Sequence, residues 1–108
     1  MRVELLWWEG CPSYPQALDE LKHVLRSEGL DPDGVDVIEI ESEEQAEREG
    51  FPGSPTIRLD GEDLLPPGEG APAGLTCRLY RLRDGRPSPT PDPGDVRDAI
   101  RKVDAGHR

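Results

Sequence analysis

Cys11 stands where an apolar run ends and a helical pattern begins. The run covers residues 3–8, and Gly10 and Pro12 flank the cysteine. Unpaired N–H groups at a helix N-terminus favour negative charge, and the thiolate is the reactive form of cysteine. Pro12 suits the first helical position, since its missing N–H would have no partner there. The sequence predicts a functional thiol at Cys11, and the plain alternative is a small buried apolar side chain.

The neighbours of Cys11 limit how reactive this thiol is expected to be. Glu9 lies two residues before it, and a nearby carboxylate disfavours a thiolate. Tyr14 follows three residues after the cysteine, and two interpretations stay open: its hydroxyl bonds the sulfur or a ligand, or its ring packs over the first helical turn. Ser13 between them is a candidate capping residue. We therefore expect a modestly reactive thiol.

The second cysteine, Cys77, lies in an ambiguous segment, residues 75–82, which fits a short extended edge or one helical turn. As a resolving cysteine it would attack an oxidised Cys11, and a disulfide needs the two Cα atoms within about 7 Å. The Pro- and Gly-rich stretch before Cys77 is long enough to fold back over Cys11. The alternative is a core cysteine, and the alternating pattern favours it because Leu79 shares the face of Cys77.

Four arginines follow Cys77 and form the only cationic cluster of an acidic chain: Arg78, Arg81, Arg83 and Arg86. Near Cys11, an arginine would stabilise a thiolate or hold an anionic substrate group. The plain alternative is surface charge that balances nearby acids.

The elements that must position these thiols alternate between strand and helix patterns. Residues 2–8 predict a strand, residues 17–25 an amphipathic helix, and residues 35–40 a β-branched strand. Ser42 and Gln45 have capping-box spacing at the start of a short helix. This order predicts a βαβ unit with a parallel strand pair and a right-handed crossover.

The second half of the chain predicts antiparallel pairing and then irregular structure. Asp60-Gly61 separates two short runs and predicts a hairpin with a two-residue turn. Proline and glycine over residues 66–93 predict an irregular segment, with loops at 66–74 and 86–93. Asp92 and Pro93 then begin a last helix, as N-cap and first helical residue.

Two motifs resemble those of the thioredoxin-like superfamily. Cys11-Pro12-Ser13-Tyr14 is similar to the C-x-x-C or C-x-x-S motif that follows the first strand there. Gly53-Ser54-Pro55-Thr56 is similar to the cis-proline loop that faces the active-site thiol. The resemblance covers roughly residues 2–65 and, more loosely, the last helix. Within the superfamily, the chain most resembles small bacterial thioredoxin-like or glutaredoxin-like proteins. Because Tyr14 replaces the second cysteine, dithiol chemistry within the motif is impossible.

The resemblance implies an α/β fold of order βαβα-ββ-α, with a four-stranded mixed sheet and helices on both faces. It also implies a cis bond before Pro55, although X-Pro bonds are cis in only about 5–6% of cases. In the family this loop leaves the backbone groups of the residue before proline free to pair with an extended ligand. The expected substrate-binding residues are therefore Pro12, Ser13, Tyr14, Ser54 and Pro55.

Length and charge narrow the class of protein further. At 108 residues the chain is expected to form a single domain, and its net charge of −10 argues against nucleic acid or an anionic membrane as partners. The sequence shows no membrane span or signal segment, so we expect a cytoplasmic protein whose cysteines are thiols. It shows no zinc-ligand spacing and no phosphate-binding glycine pattern, so neither a metal nor a cofactor is expected.

Three functions follow from these observations. The first is a thiol-dependent redox protein, with Cys11 as nucleophile and Cys77 as possible resolving partner, acting on disulfides, mixed disulfides or peroxide-oxidised thiols. The second is a non-catalytic binding module in which Ser54 and Pro55 present an edge to a partner strand. The third is soft-metal or organometal handling by Cys11 and Cys77, since soft ions prefer sulfur. The sequence leaves open whether the protein is an enzyme, and whether it is a monomer or a weak dimer.

Overall fold

The computed structural model describes residues 2–67 and 72–106. In chain order the elements are β1 (Val3–Trp7), α1 (Tyr14–Ser27), β2 (Val35–Glu39), α2 (Glu43–Glu49), β3 (Thr56–Leu59), β4 (Glu62–Asp63), β5 (Tyr80–Arg81), β6 (Pro87–Ser88) and α3 (Pro93–Gly106). The main sheet has the order β2-β1-β3-β4, with β1 parallel to β2 and antiparallel to β3. The predicted α/β fold with a four-stranded mixed sheet is confirmed. None of the helices in these two ranges has the length and apolar character that crossing a membrane requires.

Helices cover both faces of the main sheet, as predicted. Leu5 of β1 belongs to a buried cluster with the apolar sides of α1 and α3. Leu6 belongs to a second cluster with Ala46 of α2 and Phe51. Neighbouring β1 residues enter different clusters because side chains alternate between the two faces of a strand. The central strand therefore joins two small cores.

Local sequence signals determine two of the boundaries as expected. Ser42 Oγ accepts a hydrogen bond from the Gln45 N–H at 3.0 Å, and Gln45 Oε1 accepts one from the Glu41 N–H at 2.9 Å. This reciprocal cap begins α2. In the β3–β4 turn, Asp60 and Gly61 have φ angles of 52° and 86°, which a type I′ turn requires. Strand β4 is two residues shorter than the predicted run of 62–65.

The stretch 66–93, predicted to be irregular, contains a second small sheet. Strands β5 and β6 pair antiparallel, with Tyr80 opposite Ser88. The turn between them places Gly85 at a φ of 91°, and the Gly85 N–H donates to the Leu82 carbonyl at 2.8 Å. The loop predicted over residues 86–93 is therefore wrong at 87–88, since proline is tolerated in such an edge strand. The predicted loop at 66–74 is described except for residues 68–71, which lie outside the described ranges.

Helix α3 begins as predicted and is held by the segment before it. Asp92 Oδ1 accepts a hydrogen bond from the Gly94 N–H at 2.8 Å. Arg83 pairs with two α3 carboxylates, Asp95 at 2.8 Å and Asp98 at 2.5 Å. Hydrogen bonds from Arg83 hold the pKa of Asp98 below its usual value. Arg83 thus serves the fold and not the thiols.

The burial of Leu5 generates a stability prediction. Leu5 is 0% exposed and Leu79 is 67% exposed, so Leu79→Ala is a matched control for Leu5→Ala. We expect Leu5→Ala to lower the free energy of unfolding by about 2–5 kcal/mol, because it removes buried apolar contacts and leaves a cavity. Leu79→Ala is expected to change it by less than about 0.5 kcal/mol. Urea denaturation followed by circular dichroism measures both, and similar losses for the two variants would contradict the described core.

Candidate functional site around Cys11, Ser54 and Cys77

Cys11 lies in the turn that leaves β1. Its N–H donates to the Trp8 carbonyl at 3.0 Å, and the residue is only 2% exposed. Gly10 lies beneath the Trp8 indole, where an added Cβ would come within 2.4 Å of the ring. Any larger residue at Gly10 would therefore displace the turn that presents Cys11. The Cys11 thiol is buried, which the sequence analysis had given only as the alternative to a functional thiol.

Helix α1 begins later than predicted. Tyr14 is its first residue, Ser13 is the N-cap without a side-chain hydrogen bond, and Pro15 occupies the first turn. Pro12 therefore lies in the turn before the helix and not at its first position. The second proline, Pro15, accounts for the shift. It lies in the first helical turn, where the backbone N–H groups have no partner within the helix and a proline is therefore tolerated. The ring of Tyr14 stacks on that of Trp7, with centroids 4.1 Å apart, which corresponds to the packing interpretation.

The loop between α2 and β3 contacts Cys11. The Ser54–Pro55 peptide bond is cis, as the motif predicts. The Cys11 thiol donates to the Ser54 carbonyl with Sγ and O 3.4 Å apart. The Ser54 hydroxyl accepts a hydrogen bond from the Trp8 N–H at 3.0 Å. These two contacts fix the fully buried Ser54 against the end of β1.

Both backbone groups of Ser54 are already paired within the chain. The Ser54 N–H donates to the Thr76 carbonyl, and the Arg78 N–H donates to the Ser54 carbonyl, each at 2.8 Å. These bonds form a single parallel bridge that sets Cys77 opposite Ser54. The edge that was expected to receive an extended ligand is occupied by residues 76–78. Gly53 permits this approach, since a Cβ there would lie 3.1 Å from the Arg78 nitrogen.

The bridge brings the two cysteines together. The Cys77 side chain lies close enough to Cys11 for the two thiols to interact, and Cys77 itself is exposed. The expectation that Cys77 faces the core together with Leu79 is therefore wrong. Leu79 is 67% exposed, whereas Arg78 and Tyr80 are buried. The alternation exists, but the opposite face is turned inward.

A buried arginine secures this segment. The Arg78 guanidinium bonds Asp63 Oδ2 at 2.8 Å and Thr56 Oγ1 at 3.2 Å. It also donates to the Leu65 carbonyl. The expected role of an arginine in stabilising a thiolate does not fall to Arg78, because these hydrogen bonds turn its guanidinium toward β3 and β4. Its role is to bind residues 76–78 to the main sheet.

Tyr80 adds a second anchor on the same face as Arg78. The Arg78 guanidinium lies 4.6 Å from the centre of the Tyr80 ring, within the range of a cation–π contact. The Tyr80 hydroxyl donates to the Pro55 carbonyl at 2.5 Å. Burial raises the pKa of this phenol well above its usual value, so it remains protonated and donating. The sequence analysis did not identify either anchor. The pattern that could have indicated them is that Arg78 and Tyr80 share one face of the alternating segment, opposite the face of Cys77 and Leu79.

The contact between the thiols changes the acidity of the exposed one. The hydrogen bond with Cys11, then partial burial and the nearby charge of a Cys11 thiolate, raise the pKa of Cys77 to about 11. A negative charge on a neighbouring sulfur disfavours a second one on Cys77, which is why this charge raises the Cys77 pKa. At neutral pH Cys77 is therefore held as a thiol.

The structure separates the predicted site residues into two groups. It brings together Cys11, Ser54, Pro55 and Cys77. Pro12 is exposed, and Ser13 and Tyr14 are half-buried beside the turn. In the described ranges, no three His, Cys, Asp or Glu side chains converge as a metal site. A groove of about 480 Å³ adjoins Cys77 and is lined by residues that include Thr76, Leu79 and Tyr80.

Comparison with protein-family models, curated proteins and solved structures finds no match to this chain.

The anchoring role of Arg78 predicts a stability effect. Its side chain is 7% exposed and that of Asp63 is 18% exposed. Arg78→Met leaves a half-buried carboxylate without its partner, which is expected to lower the free energy of unfolding by about 3 kcal/mol. The control is Arg81→Met, since Arg81 is exposed. Urea denaturation that gives equal losses for the two variants would rule out the anchor.

The raised pKa of Cys77 predicts a change in alkylation. In Cys11→Ser, the hydrogen bond to sulfur and the neighbouring thiolate disappear, so the pKa of Cys77 is expected to fall from about 11 toward that of an exposed cysteine. More thiolate is then present at pH 8, and reaction with iodoacetamide is expected to be about tenfold faster than at Cys77 of the reduced wild type. Peptide mass mapping of the alkylated sites measures this. An unchanged rate at Cys77 would show that the thiols do not interact.

Proposed function

We propose that this chain is a thiol–disulfide redox protein in which Cys11 and Cys77 alternate between two thiols and one disulfide. The observation that carries the proposal is the backbone bridge that holds Cys77 opposite Ser54, the residue whose carbonyl accepts a hydrogen bond from the Cys11 thiol. A disulfide requires sulfurs that approach closely in a suitable backbone geometry. Here the backbone is held in place before any oxidation, by anchors on the main sheet.

We also propose that the fold is thioredoxin-like. The strand order β2-β1-β3-β4 and the antiparallel β3–β4 hairpin support this proposal. The position of Cys11 after β1, facing the Ser54–Pro55 loop, supports it as well. By this resemblance the substrates are disulfides or oxidised thiols.

The chemistry of the pair is a two-electron exchange. A disulfide RSSR accepts the electrons of the two thiols, so that Cys11 and Cys77 form a disulfide and two RSH molecules are released. Two molecules of RSH reverse the reaction. The chain's own contribution to this exchange is proximity. Arg78 and Tyr80 hold Cys77 near Cys11, so no flexible segment has to carry it there.

The two alternative functions receive unequal support. A binding module that pairs a partner strand at Ser54 is not favoured, because the N–H and carbonyl of Ser54 are bonded to residues 76–78. Soft-metal or organometal handling remains a second candidate, since two neighbouring sulfurs offer the ligands that soft ions prefer. It would use the same thiols but would not require that they oxidise.

The proposal predicts the outcome of mild oxidation. With a small excess of 2-hydroxyethyl disulfide, the native protein is expected to lose both thiols together and to remain monomeric. Cys77→Ser is expected to form no intramolecular disulfide. Thiol titration, non-reducing mass spectrometry and gel filtration measure these results.

Two outcomes of this experiment would contradict the proposal. One is a folded protein that keeps both thiols after prolonged oxidation. The other is a disulfide that forms only between chains. If the thiols survive oxidant but bind a stoichiometric soft cation, the metal-handling candidate replaces the redox one.

A further inference from the structure

The two sulfurs of the pair differ sharply in their access to solvent. Cys11, in the turn that leaves β1, is only 2% exposed. Cys77 is exposed and borders the groove of about 480 Å³. The rate of thiol–disulfide exchange depends on which sulfur is attacked and on whether the incoming sulfur can reach it. An external reactant can therefore approach the Cys77 sulfur, whereas Cys11 is covered by the chain itself.

We infer that the external reactant bonds to Cys77 and that Cys11 is the internal, resolving thiol. This inference rests on the proposed redox function and assigns the order of its steps. It reverses the order expected from the sequence, in which Cys11 reacts first and Cys77 resolves. The order is reversed because the bridge at residues 76–78 leaves Cys77, and not Cys11, in contact with solvent.

The reducing direction illustrates the assignment. A thiolate RS⁻ attacks the Cys77 sulfur of the Cys11–Cys77 disulfide, the S–S bond breaks, and Cys11 leaves as a thiolate. Cys77 is then bonded to RS as a mixed disulfide. A second RS⁻ attacks the R sulfur, which forms RSSR and releases Cys77. Both protein sulfurs take protons from water, so one protein disulfide is reduced while two RSH molecules are oxidised.

The occupied edge at Ser54 indicates the class of reactant. An extended polypeptide would need the Ser54 N–H and carbonyl, and both are bonded to residues 76–78. Displacing that segment would break the hydrogen bonds of Arg78 and Tyr80 and would carry Cys77 away from Cys11. A small molecule needs only the open groove at Cys77. The geometry therefore favours a low-molecular-weight thiol or disulfide over a polypeptide substrate.

The test traps the mixed disulfide in single-cysteine variants. Cys11→Ser retains only the exposed thiol, and Cys77→Ser retains only the buried one. Each variant is treated with 2-hydroxyethyl disulfide at pH 8, and intact mass gives the rate of adduct formation. We expect the adduct on Cys11→Ser to form at least about tenfold faster, because only its sulfur is accessible. Circular dichroism confirms that both variants are folded.

Each outcome decides between the possible assignments. Equal or faster labelling of folded Cys77→Ser would overturn the inference, because Cys11 would then be the sulfur that meets the reactant. Failure of the proposed function is seen separately, as a wild-type protein that forms no intramolecular disulfide with the same reagent. A polypeptide disulfide, such as those of intact insulin, serves as the second probe. If it oxidises the reduced wild type faster than 2-hydroxyethyl disulfide does at equal concentration, the small-molecule assignment is wrong.

Discussion

The backbone bridge between Ser54 and residues 76–78 is the constraint on which the site depends. Its two hydrogen bonds, each 2.8 Å long, are the contacts that set Cys77 opposite Ser54. Ser54 is itself immobilised by Cys11 and by the backbone of Trp8. Since a buried backbone N–H or carbonyl without a partner is costly, the chain satisfies both Ser54 groups with its own segment. The same bonds place one thiol beside the other.

Buried charge makes this arrangement specific. Arg78 can be buried only because Asp63, Thr56 and a backbone carbonyl accept its hydrogen bonds, and an unpaired charge in that position would be strongly destabilising. The register of residues 76–78 is therefore tied to the position of one guanidinium. The central strand contains a comparable case, since Glu4 is 3% exposed and its carboxylate lies 3.4 Å from Arg58. In a small domain with a limited apolar core, such pairs specify which polar residues lie inside.

The asymmetry of the thiols connects the fold to the proposed chemistry. Cys11 belongs to the junction after the central strand, beside the stacked rings of Trp7 and Tyr14. Cys77 belongs to a segment added over the edge of the Ser54–Pro55 loop and remains exposed. One sulfur is thus shielded by the fold and the other is presented by it. This division of roles requires no lid and no movement of a domain.

Much of the fold was determined by the sequence itself, because the signals involved are local. Each joins residues within a few positions of one another: the Ser42–Gln45 cap, the Asp60-Gly61 turn, the Asp92 cap and the apolar period of α1. The cis bond before Pro55 and the proximity of that loop to Cys11 were expected only from the resemblance of residues 53–56 to a cis-proline loop. The orientation of residues 75–82 was not determined locally. Alternation allows either face to turn inward, and the apolar rule selected Cys77 and Leu79. Only the tertiary structure, which supplies Asp63, Thr56 and the Pro55 carbonyl as partners, decides that Arg78 and Tyr80 are buried and that Cys77 meets both Cys11 and solvent.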